Sequence, residues 1–234
     1  MPDRIRVRIR FSKSGMFAYV GHLDMMRYFQ KAVRRAEIPI AYSNGFHPHQ
    51  IMSFALPLGM GITSSGEYMD IELKEDMEPA LIKTKLDECM AKGVGIISAG
   101  YVAPNAKKSM AAVEAASYRI GVFTKNDDFD ISLLEDGIRR FYLDQNEIIV
   151  VKKTKKSENE IDLKKLIYEL EISGESVEML ISSGSQNNIK PEFVMENLMS
   201  FMGLDTENFR LGIHRNDMYY KGEDGCFHSM SECG

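Results

Sequence analysis

The chain has no tryptophan and only three cysteines in 234 residues, Cys89, Cys226 and Cys233. An odd, scattered set of thiols argues against the disulfide framework of small secreted domains. No apolar run approaches the roughly 20 residues that cross a bilayer as a helix. The opening "MPDRIRVRIRF" lacks the apolar stretch of a signal peptide. A cytoplasmic chain without membrane contact is the expectation. There is no GxxxxGK[ST] phosphate loop and no GxGxxG leading into a helix, which argues against nucleotide binding of those types. Ser43, Ser53, Ser64 and Ser65 have no nucleophile-elbow context, so serine hydrolysis is not predicted. No cofactor and no metal are expected.

What the chain does have is an ordinary globular balance, 44% hydrophobic and 27% charged, which favours a packed core. Its net charge of −5 hides an asymmetry. Residues 1–50 hold nine Lys/Arg against three acids, a surplus of six positive charges that leaves −11 for the remainder. His22, His47 and His49 lie in the same basic stretch. Such a split is the electrostatic footprint of an anionic partner such as nucleic acid, or else of solvated strand and helix faces.

In "RIRVRIRF", Ile5, Val7, Ile9 and Phe11 alternate with Arg4, Arg6, Arg8 and Arg10. Period two predicts a strand with one buried face and one row of guanidinium groups. "GHLDMMRYFQKAVRRAEIP" places Leu23, Met26, Phe29, Val33 and Ala36 on one stripe of an amphipathic helix, with Arg27, Lys31 and Arg34 on another. "IPIAYS" and "GEYMDIELKE" read as strands, "EPALIKTKLDECMAKG" as a helix and "VGIISAGYV" as a strand. The second half repeats the grammar, with corresponding elements about 110 residues apart. The expected fold is α+β, two tandem ferredoxin-like βαββαβ units. The expected boundaries are 1–103 for the first unit, 104–116 for a small-residue linker, 117–220 for the second unit and 221–234 for a tail. "KKTKKSENE" at 152–160 reads as a solvated hairpin, with a basic edge for RNA as the alternative.

The segment "AYSNGFHPHQIMSFALPLG", residues 41–59, invites chemistry. Pro48 confines it to an edge or a loop, because proline cannot donate to a sheet ladder. His47 and His49, two residues apart, would share a face in an extended chain. With His22, and Asp24 or Glu67, they are candidates for a metal site, although nothing in the spacing demands one. As bases they would suit proton transfer near neutrality. As recognition groups they would act with Ser43, Asn44, Phe46 and the backbone of the Gly45 turn; a purely structural corner is also open. Asp24 sits at the start of the first helix, where it meets the helix dipole and Arg27. The terminal "CFHSMSEC" matches no familiar metal spacing.

"RFSKSG", "GHLDMMR", "AVRRAEIPIAYSNGFHPHQ", "FALPLGMG" and "SGEYMDIEL", in that order, resemble the bacterial radical SAM-linked protein family. "EIDLKKLI" and "IHRNDMYY" resemble its weaker later landmarks. Members of that family stand alone or form the C-terminal region of B12-binding-like radical SAM proteins, and their biochemical function is not established. The resemblance implies a radical SAM enzyme as partner. The chain has no CxxxCxxC motif, so radical chemistry would belong to that partner. Three functions follow as expectations. The favoured one is a non-catalytic module that binds RNA or another phosphate-containing ligand. Arg4, Arg6, Arg8, Lys13, Arg27, Lys31, Arg34 and Arg35 would supply phosphate contacts and the Ser43–His49 loop specificity, with Tyr42 or Phe46 available for stacking. The others are a metal-independent RNA endonuclease using His47 or His49, by fold-level analogy with CRISPR RNA-processing enzymes, and an adaptor that docks on the radical SAM enzyme.

Overall fold

The computed structural model describes residues 5–124, 129–153, 158–185 and 187–232. The fold is α+β, and the chain divides into two compact units, 1–114 with 215–234 and 115–214.

The first unit begins with β1 (Ile5–Lys13), a 3-10 turn at Gly15–Tyr19 and α1 (His22–Arg35). Then come β2 (Met52–Phe54), β3 (Thr63–Leu73), α2 (Pro79–Glu88), β4 (Val94–Tyr101) and the short α3 (Ser109–Ala112). The strand order is β4-β1-β3-β2, with every pair antiparallel. The "IPIAYS" strand is reduced to two isolated bridges, Ile40 to Leu73 and Tyr42 to Gln50. Alternation puts Val7, Ile9 and Phe11 of β1 and Met69, Ile71 and Leu73 of β3 on one face. There they pack against Met25, Phe29, Ala32 and Val33 of α1 and Ile82 and Leu86 of α2. Phe11 and Phe29 meet at 4.7 Å between ring centroids. The α1 stripe is therefore rotated from the expected one, because the helix starts at His22 and leaves Leu23 exposed.

The second unit comprises β5 (Ala115–Thr124), α4 (Leu134–Ile138) continued by a π-helical turn at Arg139–Leu143, and the hairpin β6 (Ile149–Lys153) and β7 (Glu158–Asp162). β8 (Ile167–Ser173), β9 (Ser176–Ser182) and α5 (Pro191–Phe201) follow. Gly174 makes the β8–β9 turn at φ +60°. The strand order here is β10-β5-β9-β8, where β10 (Phe209–Lys221) supplies its residues up to His214. The expected hairpin at 152–160 corresponds to β6 and β7; residues 154–157 lie outside the described ones.

The two compact units divide the chain at other residues than the expected boundaries. Residues 104–114 pack into the first unit rather than linking two bodies: Arg6 donates to the carbonyls of Ala103 and Ala106, and Ser109 is fully buried. The C-terminal stretch, expected as a tail from 221, groups with the first unit from Arg215 on. Residues 215–221 of β10 lie beside β3, β11 (Phe227–Ser229) pairs with β10, and Met230 is fully buried.

Candidate functional site

Among the described arginines of β1, Arg6 and Arg10 are half-buried and Arg8 is buried, and all three donate to protein groups. Arg8 is only 5% exposed, and its Nε and Nη2 donate to Asp70 Oδ1 and Oδ2 at 2.7 and 3.1 Å. Arg10 donates to the carbonyls of Ser65 and Asn216 and lies 3.4 Å from Asp217. The reason is non-local. The face opposite the helices is covered by residues 103–112 and 215–232, whose backbone carbonyls need donors. Arg4 lies outside the described residues.

Lys13, His22 and Glu67, three of the expected ligand-binding residues, line one small enclosure of about 20 Å³ together with Phe11, Met25, Phe54 and the Leu56–Leu58 turn. Lys13 and Glu67 continue the buried parity of their strands, Val7-Ile9-Phe11-Lys13 and Glu67-Met69-Ile71, so both charges face inward. Arg215 joins them, its Nε and Nη2 donating to Glu67 Oε1 and Oε2 at 2.8 and 2.6 Å and its Nη2 also to the Leu56 carbonyl. Lys13 Nζ donates to the Val20 carbonyl at 2.9 Å. Burial holds the Lys13 ammonium below its ordinary pKa; Glu67 pulls the other way, and Arg215 reinforces the lowering. His22 sets its ring edge-on to Phe54, 5.4 Å between centroids. Arg215 was not anticipated from the sequence. The available signal was its place two residues after buried Ile213, a charge on an apolar parity.

His47 and His49 belong to a different place. The whole of 44–49 is exposed, and Phe46 is 100% exposed. His49 closes the loop on Ser43: its backbone N–H donates to Ser43 Oγ at 3.1 Å, and Oγ lies 2.8 Å from Nδ1. Gly45, at φ +116°, makes the reversal at the tip. Beyond the loop, Gln50 is buried and its Nε2 donates to the Gln30 carbonyl, which ties the loop to α1. His22 therefore packs at the enclosure while His47 and His49 stay on the exposed loop. Among the described residues, no group of three or more His, Cys, Asp and Glu is placed to hold a metal ion. His228 contacts Asp224 and Glu232, and Cys233 lies outside the described residues.

Of the described cations expected to contact phosphate, those of α1 are exposed. Arg27, Lys31 and Arg34 recur at spacings of four and three on one face, with Arg35 beside them, all exposed. Asp24 pairs with Arg27 at 3.1 Å in the open. Arg34 donates to the Gln30 carbonyl, and Arg35 donates to the Cys89 carbonyl. Arg34 also lines an open cleft of about 490 Å³ with Tyr42 and Lys74, and with the carboxylates of Glu37, Glu75 and Asp76. The Gln30–Gln50 bond thus places an exposed aromatic loop beside a face of exposed cations. No helix among the described residues is long and apolar enough to cross a membrane.

A family model described as "Uncharacterized protein conserved in bacteria (DUF2344)" matches residues 6–191. No curated protein matches the chain at significance. Among solved structures it is similar to a Cbf5-Nop10-Gar1 complex, at 10% identity over 91% of this chain and 48% of that one, with a TM-score of 0.47. An archaeal box H/ACA sRNP Nop10-Cbf5 complex matches at 8% identity, 89% and 46% coverage and a TM-score of 0.40. An unknown protein from Galdieria sulphuraria matches at 11% identity, 91% and 98% coverage and a TM-score of 0.25. The chain spans about half the length of the first two chains.

Proposed function

The chain belongs to the bacterial DUF2344 family, and we propose that it is a binding module, without catalysis of its own, that takes single-stranded RNA on the outer face of α1 and the Ser43–His49 loop. The observation that carries this reading is the juxtaposition of Arg27, Lys31 and Arg34 with a loop that presents Phe46 wholly to solvent. Cations position a phosphate backbone, and an exposed ring offers a base a stacking platform. Tyr42, Asn44 and His47 would add specificity from the same loop. The two units read as ferredoxin-like, because β4-β1-β3-β2 and β10-β5-β9-β8 follow one order when the strands of each main sheet are numbered within their unit and the separate β6–β7 hairpin is set aside. The resemblance supports a radical SAM enzyme as partner. His49 serves here as a brace for Ser43, so the endonuclease reading has less support than recognition.

Binding of a fluorescein-labelled single-stranded RNA, followed by anisotropy across a salt series, tests the proposal. Three phosphate contacts give a log–log salt slope of about −2, from roughly 0.7 per contact. Replacing Arg27, Lys31 and Arg34 together by alanine is expected to flatten that slope, and Phe46→Ala to weaken binding at constant slope. Affinity indifferent to both changes overturns it.

One further observation favours a protein adaptor as the second reading. Met16, Tyr19, Leu23 and Met60 are exposed, and the Gly61 N–H donates to the Ala18 carbonyl, holding the 58–61 turn to the 3-10 turn that precedes α1. Co-purification of a radical SAM enzyme that survives nuclease treatment separates this reading from RNA bridging.

A further inference from the structure

The second unit contains a groove of about 590 Å³ between the helical stretch 132–143 and β8. Leu170, Glu171 and Ile172, three consecutive residues of β8, line it. Successive strand residues point to opposite faces, so all three can line one groove only if the groove looks onto the strand's edge. β8 ends the order β10-β5-β9-β8. It pairs with β9 through Leu170–Met179 and Ile172–Val177, and its outer edge at 170–172 has no strand partner among the described residues. The Tyr142 hydroxyl covers the start of that edge, donating to the carbonyls of Ile167 and Tyr168. It stops short of 170–172.

The opposite wall is shaped by the π-helical turn, where Asp144 N–H reaches back five residues to the Arg139 carbonyl at 2.9 Å and Leu143 remains exposed. Ile138 and Leu143 face Leu170 and Ile172 across the groove, an apolar lining on both sides. The polar lining is acidic. The one cation, Arg139, is already neutralised by Asp136 at 2.5 Å and Asp144 at 2.8 Å. Glu135 and Glu171 have no cationic partner among the described residues.

We propose that this groove binds an extended segment of a partner protein, alternating aliphatic and basic residues, as an added strand on β8. Main-chain hydrogen bonds to 170–172 supply the pairing, aliphatic side chains fill the space before Ile138 and Leu143, and lysine or arginine meets Glu135 and Glu171. The exposed edge accommodates roughly three to four residues, at about 3.3 Å each. This site is independent of the RNA reading, which lies wholly in the first unit.

The test uses the full chain and a fluorescein-labelled hexapeptide of alternating lysine and isoleucine. Saturable binding is expected, at least tenfold weaker for the same peptide N-methylated at the amides of one edge. Binding is likewise expected to fall at least tenfold for the Glu135→Lys/Glu171→Lys variant, and an acidic hexapeptide of glutamate and isoleucine is not expected to bind. No saturable binding, or binding equal for the methylated and unmethylated peptides, overturns the proposal. The methylated peptide is measured against the unaltered protein, so that arm holds even if the charge-reversed variant does not fold. RNA affinity is expected to be unchanged by the two substitutions in the groove.

Discussion

Arg215 clasps Glu67 across 148 residues of sequence, two donors on two carboxylate oxygens at 2.8 and 2.6 Å, with the arginine side chain 1% exposed. The pair ties the strand that opens the C-terminal segment of the first unit to its central strand β3. Removing one member leaves the other charged and dehydrated, which costs about 3–5 kcal/mol. Glu67→Gln and Arg215→Gln are each expected to lower unfolding free energy by that order in urea titrations. The double variant is expected to lose less than the sum of the two, since the partners are coupled.

Buried and exposed arginines of the first fifty residues should separate in experiment. Arg8→Met strands Asp70, which otherwise also accepts from the Ser109 N–H at 2.9 Å, and is expected to destabilise by about 3 kcal/mol or more. Alanine at Arg27, Lys31 or Arg34 is expected to change stability by no more than about 0.5 kcal/mol each. RNA affinity should follow the opposite pattern, lost with the α1 cations and retained per folded molecule in Arg8→Met. Thermal denaturation and anisotropy on the same preparations check both halves.

Gly66 is held to glycine by backbone, not by a turn. A Cβ there would lie 2.5 Å from the Asn216 carbonyl oxygen and 2.5 Å from Asp217 Cα. Gly66→Ala is therefore expected to push β10 residues 216–217 from β3 and to cost about 1–3 kcal/mol. Limited proteolysis should show the 215–232 segment released earlier than in the parent protein; equal cleavage rates contradict the expectation.

Lys13 links the same region to pH. Its folded-state pKa lies below the ordinary 10.5, so between those two values the unfolded chain binds more protons than the native one. Stability from this group therefore rises as pH climbs towards 10.5 and is lost as pH falls through the lowered pKa. Lys13→Met removes the titration. Denaturant unfolding across the alkaline range is expected to show the parent protein gaining on the variant as pH rises towards 10.5. Tyr68, whose hydroxyl is pushed up by burial and by Asp217, opposes stability above pH 10, but it is common to both proteins and cancels in the difference.

Much of this architecture is written locally. Val7, Ile9 and Phe11 alternate because a strand has period two, and the Phe29–Val33–Ala36 spacing marks a helix wherever it folds. Pro79 and Gly93 bracket α2 by the φ each prefers: Pro79 sits in its first turn, and Gly93, at φ +105°, follows its end. The inward parity of Lys13 and Glu67 is visible in the same way, as charges continuing an apolar alternation.

Which face of β1 meets water is not local. Arg6, Arg8 and Arg10 read as a solvent row until residues 103–112 and 215–232 return to cover them. That return brings the arginines to positions 97 to 222 residues away, which no period contains. The same holds for the histidines: residue type and spacing marked His22, His47 and His49 alike, and only the path of the chain sends His22 to a packed enclosure and His47 and His49 to an exposed loop. Periodicity determined the elements and their buried sides, because those follow from backbone geometry. Tertiary structure decided which charges are partnered and which remain outside, because a charge is neutralised by whatever distant segment folding brings beside it.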